Sequence, residues 1–253
     1  MDRNAYRNLT DTLESADGLM SLTSDLQAKV RETFRGAWTT RKGLVVPVPT
    51  DLKLSNDAIE FDRATVLYAD LGGSTNLVDK KIWWFAADVY KIFLHCAATI
   101  INKEGGTIVA YDGDRVMAMW LGDPQTTPAA RCALKINYAV INIINPILKE
   151  IWPGEETVVK HVVGIDTSPI RAARTGVRGD NDLVWVGRAA NYAAKLTELD
   201  LAERTWLTEA AYGYLLDDLK INGDPPRNMW KKYNWSEHGG IPIYGSTWHW
   251  STG

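Results

Sequence analysis

The stretch that decides the fold is Ala64-Thr-Val-Leu-Tyr-Ala-Asp-Leu-Gly-Gly-Ser-Thr75. Its first half, residues 64–69, is apolar and rich in residues that favour strands, which is typical of a central strand. The strand is predicted to end at Asp70, before a loop in which Ser74 or Thr75 caps the next helix. An acidic residue at the end of a buried strand, followed by glycines and a helix start, is typical of a site for a metal ion and a phosphate.

The chain beyond this stretch shows a regular alternation of predicted elements. The predictions are a helix with apolar positions from Phe85 to Ile100, a hairpin of strands 107–111 and 115–120, a helix over 127–145 that Pro146 bends or ends, strands over 158–165 and 170–177, and a helix over 189–196. The order β-α-β-β-α-β predicts an α+β fold with a ferredoxin-like, split βαβ core. We expect an antiparallel sheet with its helices on one face.

The N-terminal part of the chain differs from the rest. Short helices are predicted over residues 4–14 and 24–34, and the prolines in 43–49 favour an extended segment. We interpret residues 1–58 as a helical and extended arm for packing or dimerisation, and residues 59–253 as the main domain.

Composition excludes several classes of protein. The hydrophobic fraction of 45% and charged fraction of 23% are ordinary for a globular protein, and the net charge of −3 provides no basic field for nucleic acid. Two cysteines, Cys96 and Cys132, are too few for a disulfide scaffold. No apolar signal segment opens the chain, and the apolar stretch 82–101 contains Asp88 and Lys91. We therefore expect a cytoplasmic protein without a membrane span.

Two acidic residues are the strongest candidates for chemistry. Asp70 ends a strand, and Asp114 lies in the turn of the predicted hairpin. We expect the strand that ends at Asp70 to pair with the first strand of that hairpin, so that both carboxylates reach one edge of the sheet. Two carboxylates and a backbone carbonyl suit Mg²⁺ or Mn²⁺, whose other positions are open to phosphate oxygens.

A third group of polar residues lies on the last predicted helix. Asn191 and Lys195 are four residues apart and share one helix face, and Arg188 precedes Asn191 by three residues on the same side. An amide and a cation side by side can orient a ribose hydroxyl and neutralise charge on a phosphate. Alternatively, these residues form an ordinary solvated face of a helix.

Four segments, residues 68–75, 111–118, 163–167 and 186–196, together resemble the class III nucleotide cyclase domain, in the right order and over about residues 60–200. The resemblance implies that Asp70, Asp114 and the carbonyl of Leu71 bind two divalent cations, Mn²⁺ or Mg²⁺, over a nucleoside triphosphate. It implies nucleotide-binding roles for Leu71, Gly72, Gly73, Ser74, Thr75 and Tyr111. In this family the 3′-hydroxyl attacks the α-phosphorus and pyrophosphate leaves.

The same resemblance assigns the polar helix. Asn191 matches the asparagine that orients the ribose, and Lys195 stands where the family usually has arginine, which keeps the charge but loses the bidentate fork. The additional triphosphate lysine of the family has no clear match, and Lys231 and Lys232 are weak candidates. Family members form head-to-tail homodimers in which one chain supplies the metal site and the other the asparagine helix.

The base-reading positions depart from those of purine cyclases. By resemblance these positions are Ala110 and Val184, neither of which can contact a purine edge, although a shift of two residues would place Asp182 at the second. Tyr111 and Trp185 flank the expected pocket and could stack on a pyrimidine.

Further segments resemble the Pycsar-type pyrimidine cyclases, which signal in bacterial defence against phage through a separate effector. These are residues 180–186, the pair Arg171 and Arg174, the N-terminal arm and residues 244–250. This resemblance favours UTP as substrate and cyclic UMP as product, with CTP and cyclic CMP as the alternative.

Other functions fit the motifs less well. A haloacid-dehalogenase-like phosphatase needs a second acid where Gly72 stands, and a diguanylate cyclase needs a glycine-rich acidic hairpin in place of the one around Asp114. A catalytically inactive, cyclase-like nucleotide sensor stays open because Lys195 replaces arginine, whereas Asp70, Asp114 and Asn191 favour an active enzyme.

Overall fold

The computed structural model describes residues 21–253. Its main sheet has nine strands: β1 (Thr39–Lys42), β2 (Asp57–Gly72), β3 (Thr107–Asp112), β4 (Arg115–Trp120), β5 (Lys160–Val177), β6 (Asp180–Val186), β7 (Thr205–Thr208), β10 (Lys231–Trp235) and β11 (Ile241–Ser246). A small second sheet pairs β8 (Ile221–Asn222) with β9 (Arg227–Asn228).

The helices surround this sheet. They are α1 (residues 21–35), α2 (Ser74–Lys80), α3 (Trp83–Lys103), α4 (Thr126–Ala139), α5 (Asn145–Ile151), α6 (Arg188–Leu196) and α7 (Glu209–Gly213). A π-helical turn, Val140–Ile144, joins α4 to α5. The helix therefore continues past Pro146, where the sequence predicted a bend or an end. Pro146 has no N–H to donate to a carbonyl of the preceding turn, and the π turn just before it is where the regular α-helical hydrogen-bond pattern is interrupted.

The sheet is mixed, and this corrects the expectation of an antiparallel one. The strand order is β10-β11-β7-β5-β2-β4-β3, with β1 beside β2 and β6 beside β5. Two pairs are parallel, β1 with β2 and β5 with β7. The two strands predicted over 158–177 form one long strand, β5, and its hairpin partner is β6. The split βαβ core runs from β2 to β5 as predicted.

The hairpin pairs with β2 through its second strand, which corrects the expected pairing. Asp70 lies opposite Arg115 of β4, and β3 is the outer strand. In a split βαβ unit the helix between β2 and β3 crosses the sheet, so the later hairpin strand takes the inner position. Asp114 still reaches the strand end because it directly precedes Arg115.

Helices cover both faces of the sheet, not one. Leu67, Ala69 and Leu71 of β2 pack with α3 and α4, whereas Val66 packs on the other face with α6. Alternate residues of a strand point to opposite faces. Asp70 therefore projects on the face that carries α6, and this alternation decides which side chains can approach it.

The N-terminal arm is described only in part. The predicted helix over 24–34 is present as α1, whose residues are all exposed, and the helix predicted over 4–14 lies outside the described residues. The arm contributes β1 to the edge of the sheet through its parallel pairing with β2. The domain boundary between residues 58 and 59 stays a prediction.

One helix of the described chain is long and apolar enough to span a membrane by length and composition, namely α3. Seven of its residues are buried in the protein: Phe85, Ala86, Val89, Phe93, Ala97, Ile100 and Ile101. They form much of the core on their face of the sheet, so α3 has the packing of a core helix.

Candidate active site

The structure brings Asp70 and Asp114 together at one end of the sheet. Asp70 is two residues from the end of β2, and Asp114 lies in the β3–β4 turn after Gly113, whose φ of 60° is left-handed. The negative charge of Asp114 acts on Asp70. Both carboxylates therefore meet at this strand end, as the sequence predicted.

The surroundings of Asp70 raise its pKa to about 6. Burial is the largest cause, and the charge of Asp114 adds to it, while Arg115, the backbone amide of Leu71 and the hydroxyl of Thr197 act in the opposite direction. The Thr197 hydroxyl lies 3.5 Å from Oδ2 of Asp70, and Arg115 donates to Asp112 at 2.8 Å. Two carboxylates held close, one of them partly buried, form a strongly negative pocket.

The donor set fits a hard cation. Two carboxylates and the nearby carbonyl of Leu71 are oxygen ligands of the kind that Mg²⁺ and Mn²⁺ prefer. In residues 21–253 no group of three or more histidine, cysteine, aspartate or glutamate side chains is placed to hold a metal ion. A cation at Asp70 would thus have only a few protein ligands, which leaves positions for oxygens of a substrate.

The glycine loop, residues 71–73, follows Asp70 directly. Gly73 has a φ of 75° and is the N-cap of α2, and no side chain caps this helix. Ser74 is already the first helical residue, so the prediction that Ser74 or Thr75 caps the helix was wrong. Gly73 takes the cap position because the chain turns there through a left-handed conformation that favours glycine.

A cleft of about 420 Å³ opens beside this loop. Gly72, Gly73 and Asn76 line it, together with Lys80, Lys81 and Lys160. Lys160 is opposite Gly72 in the β2–β5 register, and a β-carbon added to Gly72 would lie 3.2 Å from that of Lys160. The side chain of Lys160 therefore leaves the strand on the same sheet face as that of Asp70. Sequence reasoning missed this lysine, because the register of the two strands is what brings it to the loop.

Asn191 and Lys195 lie on the exposed face of α6. Both are on the helix that covers Asp70's face of the sheet, and Thr197, directly after α6, is the residue that approaches Asp70. The charged groups that shift the pKa of Asp70 are Asp114 and Arg115, and Lys195 is not among them. Within the described chain, the side chains of Asn191 and Lys195 are thus exposed to solvent.

The weaker candidates lie elsewhere. Tyr111 is opposite Val116, a core residue of the α3 face, and lines a separate cleft with Lys91 and Ile92. The structure therefore does not bring Tyr111 to the face of Asp70. Trp185 packs against Phe61 with a centroid distance of 6.4 Å.

Lys231 and Lys232, the weak candidates for the triphosphate lysine, are engaged by neighbours. Lys231 stacks over Tyr233, 4.5 Å from its ring centroid. Lys232 lies 3.8 Å from Glu209. Neither contact lies at the glycine loop.

Tyr68 is an additional residue on the sheet face that carries Asp70 and α6. It precedes Asp70 by two positions, so strand alternation places both on the same face, and it is half-buried. Burial raises the pKa of its hydroxyl, and the charge of Arg115 opposes this. The alternation in the sequence could have identified Tyr68, because it lies in the same motif as Asp70.

Comparison with known proteins gives strong matches. No protein-family model matches the chain. The chain is 53% identical to a uridylate cyclase of Burkholderia cepacia, over 92% of this chain and 100% of that protein. It is 47% identical to a uridylate cyclase of Xanthomonas perforans, over 91% of this chain and 99% of that protein. Among solved structures, the adenylyl cyclase CyaB from P. aeruginosa superposes with a TM-score of 0.59 at 23% identity, over 75% and 95% of the two chains, which shows a shared fold.

Proposed function

The chain belongs to the uridylate cyclase family, within the class III nucleotide cyclases, and on this basis we propose that it converts UTP to 3′,5′-cyclic UMP and pyrophosphate. The observation that carries the proposal is the 53% identity to a uridylate cyclase over 92% of this chain. The meeting of Asp70 and Asp114 at one strand end supports the same reaction.

In this proposal Asp70, Asp114 and the carbonyl of Leu71 hold two divalent cations, Mn²⁺ or Mg²⁺. When bound, the cations neutralise phosphate charge and lower the pKa of the attacking 3′-hydroxyl. Gly72, Gly73, Ser74 and Thr75 allow the triphosphate to approach the backbone, and Lys160 beside Gly72 adds positive charge. Tyr111 has no role in the proposed site, since it lies on the α3 side of the sheet.

The reaction also needs groups that this chain's own metal site lacks. We assign them to Asn191 and Lys195 of a second copy in a head-to-tail homodimer, because both residues point outward from α6. Asn191 orients the ribose so that its 3′-oxygen lies in line with the α-phosphorus, and Lys195 neutralises the charge that develops on the phosphate. Each dimer then contains two shared sites.

Product analysis tests the reaction. The purified chain is incubated with each of the four nucleoside triphosphates and Mn²⁺, and the products are identified by mass spectrometry. We expect cyclic UMP from UTP and at least tenfold less cyclic product from the other three. Cyclic CMP as the main product would identify a cytidylate cyclase, and no product would favour a nucleotide sensor.

The raised pKa of Asp70 predicts that metal binding depends on pH. Below about pH 6 Asp70 is protonated, so a cation must displace a proton. We expect the affinity for Mn²⁺ in the absence of nucleotide to fall about tenfold from pH 7 to pH 5, as measured by calorimetry. A carboxylate with an ordinary pKa would be ionised at both values, so equal affinities would contradict this prediction.

The resemblance to Pycsar-type cyclases extends the proposal to the cell. We infer a cytoplasmic enzyme whose cyclic UMP activates a separate effector during defence against phage. The net charge of −3 provides no basic field for a nucleic acid partner.

A further inference from the structure

A buried carboxylate lies beneath the first residue of α6. Asp166, in β5, is 0% exposed. Its Oδ2 accepts a hydrogen bond from Nε of Arg188 at 2.9 Å, and its Oδ1 accepts from Nη2 of Arg188 at 3.2 Å and from the Thr208 hydroxyl. Arg188 also donates to the carbonyl of Thr167 at 2.8 Å. These four residues, the Asp166 cluster, connect β5, α6 and the end of β7.

Stability alone gives a poor account of this cluster. Burial raises the pKa of Asp166, and the hydrogen bonds from Thr208 and Arg188 only oppose that shift. Replacing a buried ion pair by apolar residues of similar volume is often neutral or stabilising, because the desolvation cost of the charges disappears. Here that cost falls on Asp166, since the Arg188 side chain is 45% exposed. What apolar residues cannot supply is direction, since a bidentate arginine fixes both the distance and the angle of its partner.

Most of the remaining contact between α6 and the sheet is made by small residues, and Leu196 in the last turn packs with Val162 and Trp206. Ala189 and Ala193 are 0% exposed. A β-carbon on Gly164 would lie 2.2 Å from the carbonyl oxygen of Ala193, so the helix rests directly on β5 there. At the alanines this smooth surface fixes the height of α6 above the sheet but offers few ridges against sliding along the helix axis. At the N-terminus, the Ala189 amide donates to the Ser168 hydroxyl at 2.9 Å and adds to the polar anchor.

We propose that the Asp166 cluster positions α6 for catalysis, which makes Asp166 and Arg188 positioning residues for Asn191 and Lys195. This inference rests on the proposed function, in which α6 completes the metal site of the second copy. Asn191 and Lys195 follow Arg188 by about 4.5 Å and about 10.5 Å along the helix axis. An error of about 1 Å in the position of a reacting group can cost about 100-fold in rate.

The test removes the ion pair without leaving a buried charge. The double variant Asp166→Leu/Arg188→Met should melt within a few degrees of the wild type, while kcat for cyclic UMP falls about 30-fold or more. The KM for UTP should change less than threefold, because the cations and the glycine loop that bind the ground-state triphosphate lie on the other chain, whereas Lys195 acts on charge that develops in the transition state. Arg188→Lys, which keeps the charge and loses the fork, should lie between the two. The matched control is Asp57→Leu/Arg41→Met, which removes an ion pair of 2.8 Å between β1 and β2, away from α6.

Two further readouts separate positioning from a general loss of structure. Amide hydrogen exchange in 188–196 should be faster in the double variant and unchanged in the central strands. Mixing the double variant with an Asp70→Ala chain should restore activity, since one shared site then has two intact halves, and mixing it with an Asn191→Ala chain should not.

A kcat within twofold of the wild type, unchanged exchange in α6, or equal rescue by both mixing partners would each overturn the inference. A wild-type chain that forms no cyclic nucleotide would instead defeat the proposed function. The exchange measurement would then still decide whether the cluster anchors α6.

Discussion

Replacing Asp70 or Asp114 by asparagine is expected to lower cyclic UMP formation at least 1,000-fold while the fold persists. Each substitution keeps the shape of the side chain and removes one of the two negative charges that meet at the end of β2. Loss of one oxyanion-stabilising donor in acyl transfer already costs about 100- to 1,000-fold in rate, and in the proposed site the substitution also removes a metal ligand. The measurement is steady-state turnover of UTP with saturating Mn²⁺.

Asp112→Asn is the matched control for this experiment. Asp112 lies in the same hairpin and binds Arg115, and its side chain is largely exposed. Its substitution should change turnover less than threefold. If Asp112→Asn were as damaging as Asp114→Asn, the hairpin's shape and not the carboxylate of Asp114 would be responsible.

Stability should move in the opposite direction to activity for Asp70→Asn. The pKa of Asp70 is higher in the folded chain than in the unfolded one, so ionisation at neutral pH costs folding free energy. This cost is small at pH 4, grows as the pH rises from about 4 to about 6, and is constant above that. Because Asp70 is partly exposed, we expect the variant to be more stable at pH 7 by only about 1 kcal/mol. Thermal unfolding at pH 7 and pH 4 would measure the difference.

Mixing two inactive chains is expected to restore activity. An Asp70→Ala chain keeps a working α6, and an Asn191→Ala chain keeps a working metal site. In a mixed head-to-tail dimer one of the two shared sites is intact. At a 1:1 ratio and random pairing, about half of the dimers are mixed, so up to roughly one quarter of wild-type activity should return. The outward orientation of Asn191 and Lys195 on α6 is the observation behind this expectation.

The control for the mixing experiment is a pair of variants from the same half. Asp70→Ala with Asp114→Ala should give no rescue, because every shared site lacks one metal ligand. Native mass spectrometry must show that mixed dimers form. With mixed dimers present, an absence of rescue would place the complete site within one chain.

Much of the site could be predicted from the sequence because its signals are local. The apolar run before Asp70 and the turn around Asp114 each predicted a strand end, and the periodicity predicted α6 to within one residue at its start. The placements that could not be predicted depend on pairing between distant segments of the chain. Lys160 reaches Gly72 only through the β2–β5 register, and no local pattern fixes which hairpin strand lies inside.

The same limit explains the two corrections on the sheet faces. The expectation that one face carries all helices treated α6 as equivalent to α3 and α4. Its buried side consists of three alanines and Leu196, and the alanines form a narrow face that fits against a strand carrying Gly164. The resemblance predicted that Tyr111 flanks the base pocket, but the strand register places it opposite Val116 on the α3 face.

The long strand pair β2–β5 joins both halves of the proposed chemistry within each chain. β2 carries Asp70 two residues before its end, and β5 carries Asp166 under α6, the helix proposed to serve the other copy. A shift in this pair moves the aspartate and the helix together, and symmetry repeats the shift in the second chain. In the proposed dimer a mutation that distorts this strand pair would therefore reach both shared sites at once. A tolerated mutation in this strand pair must thus suit both the metal half and the α6 half of the proposed site.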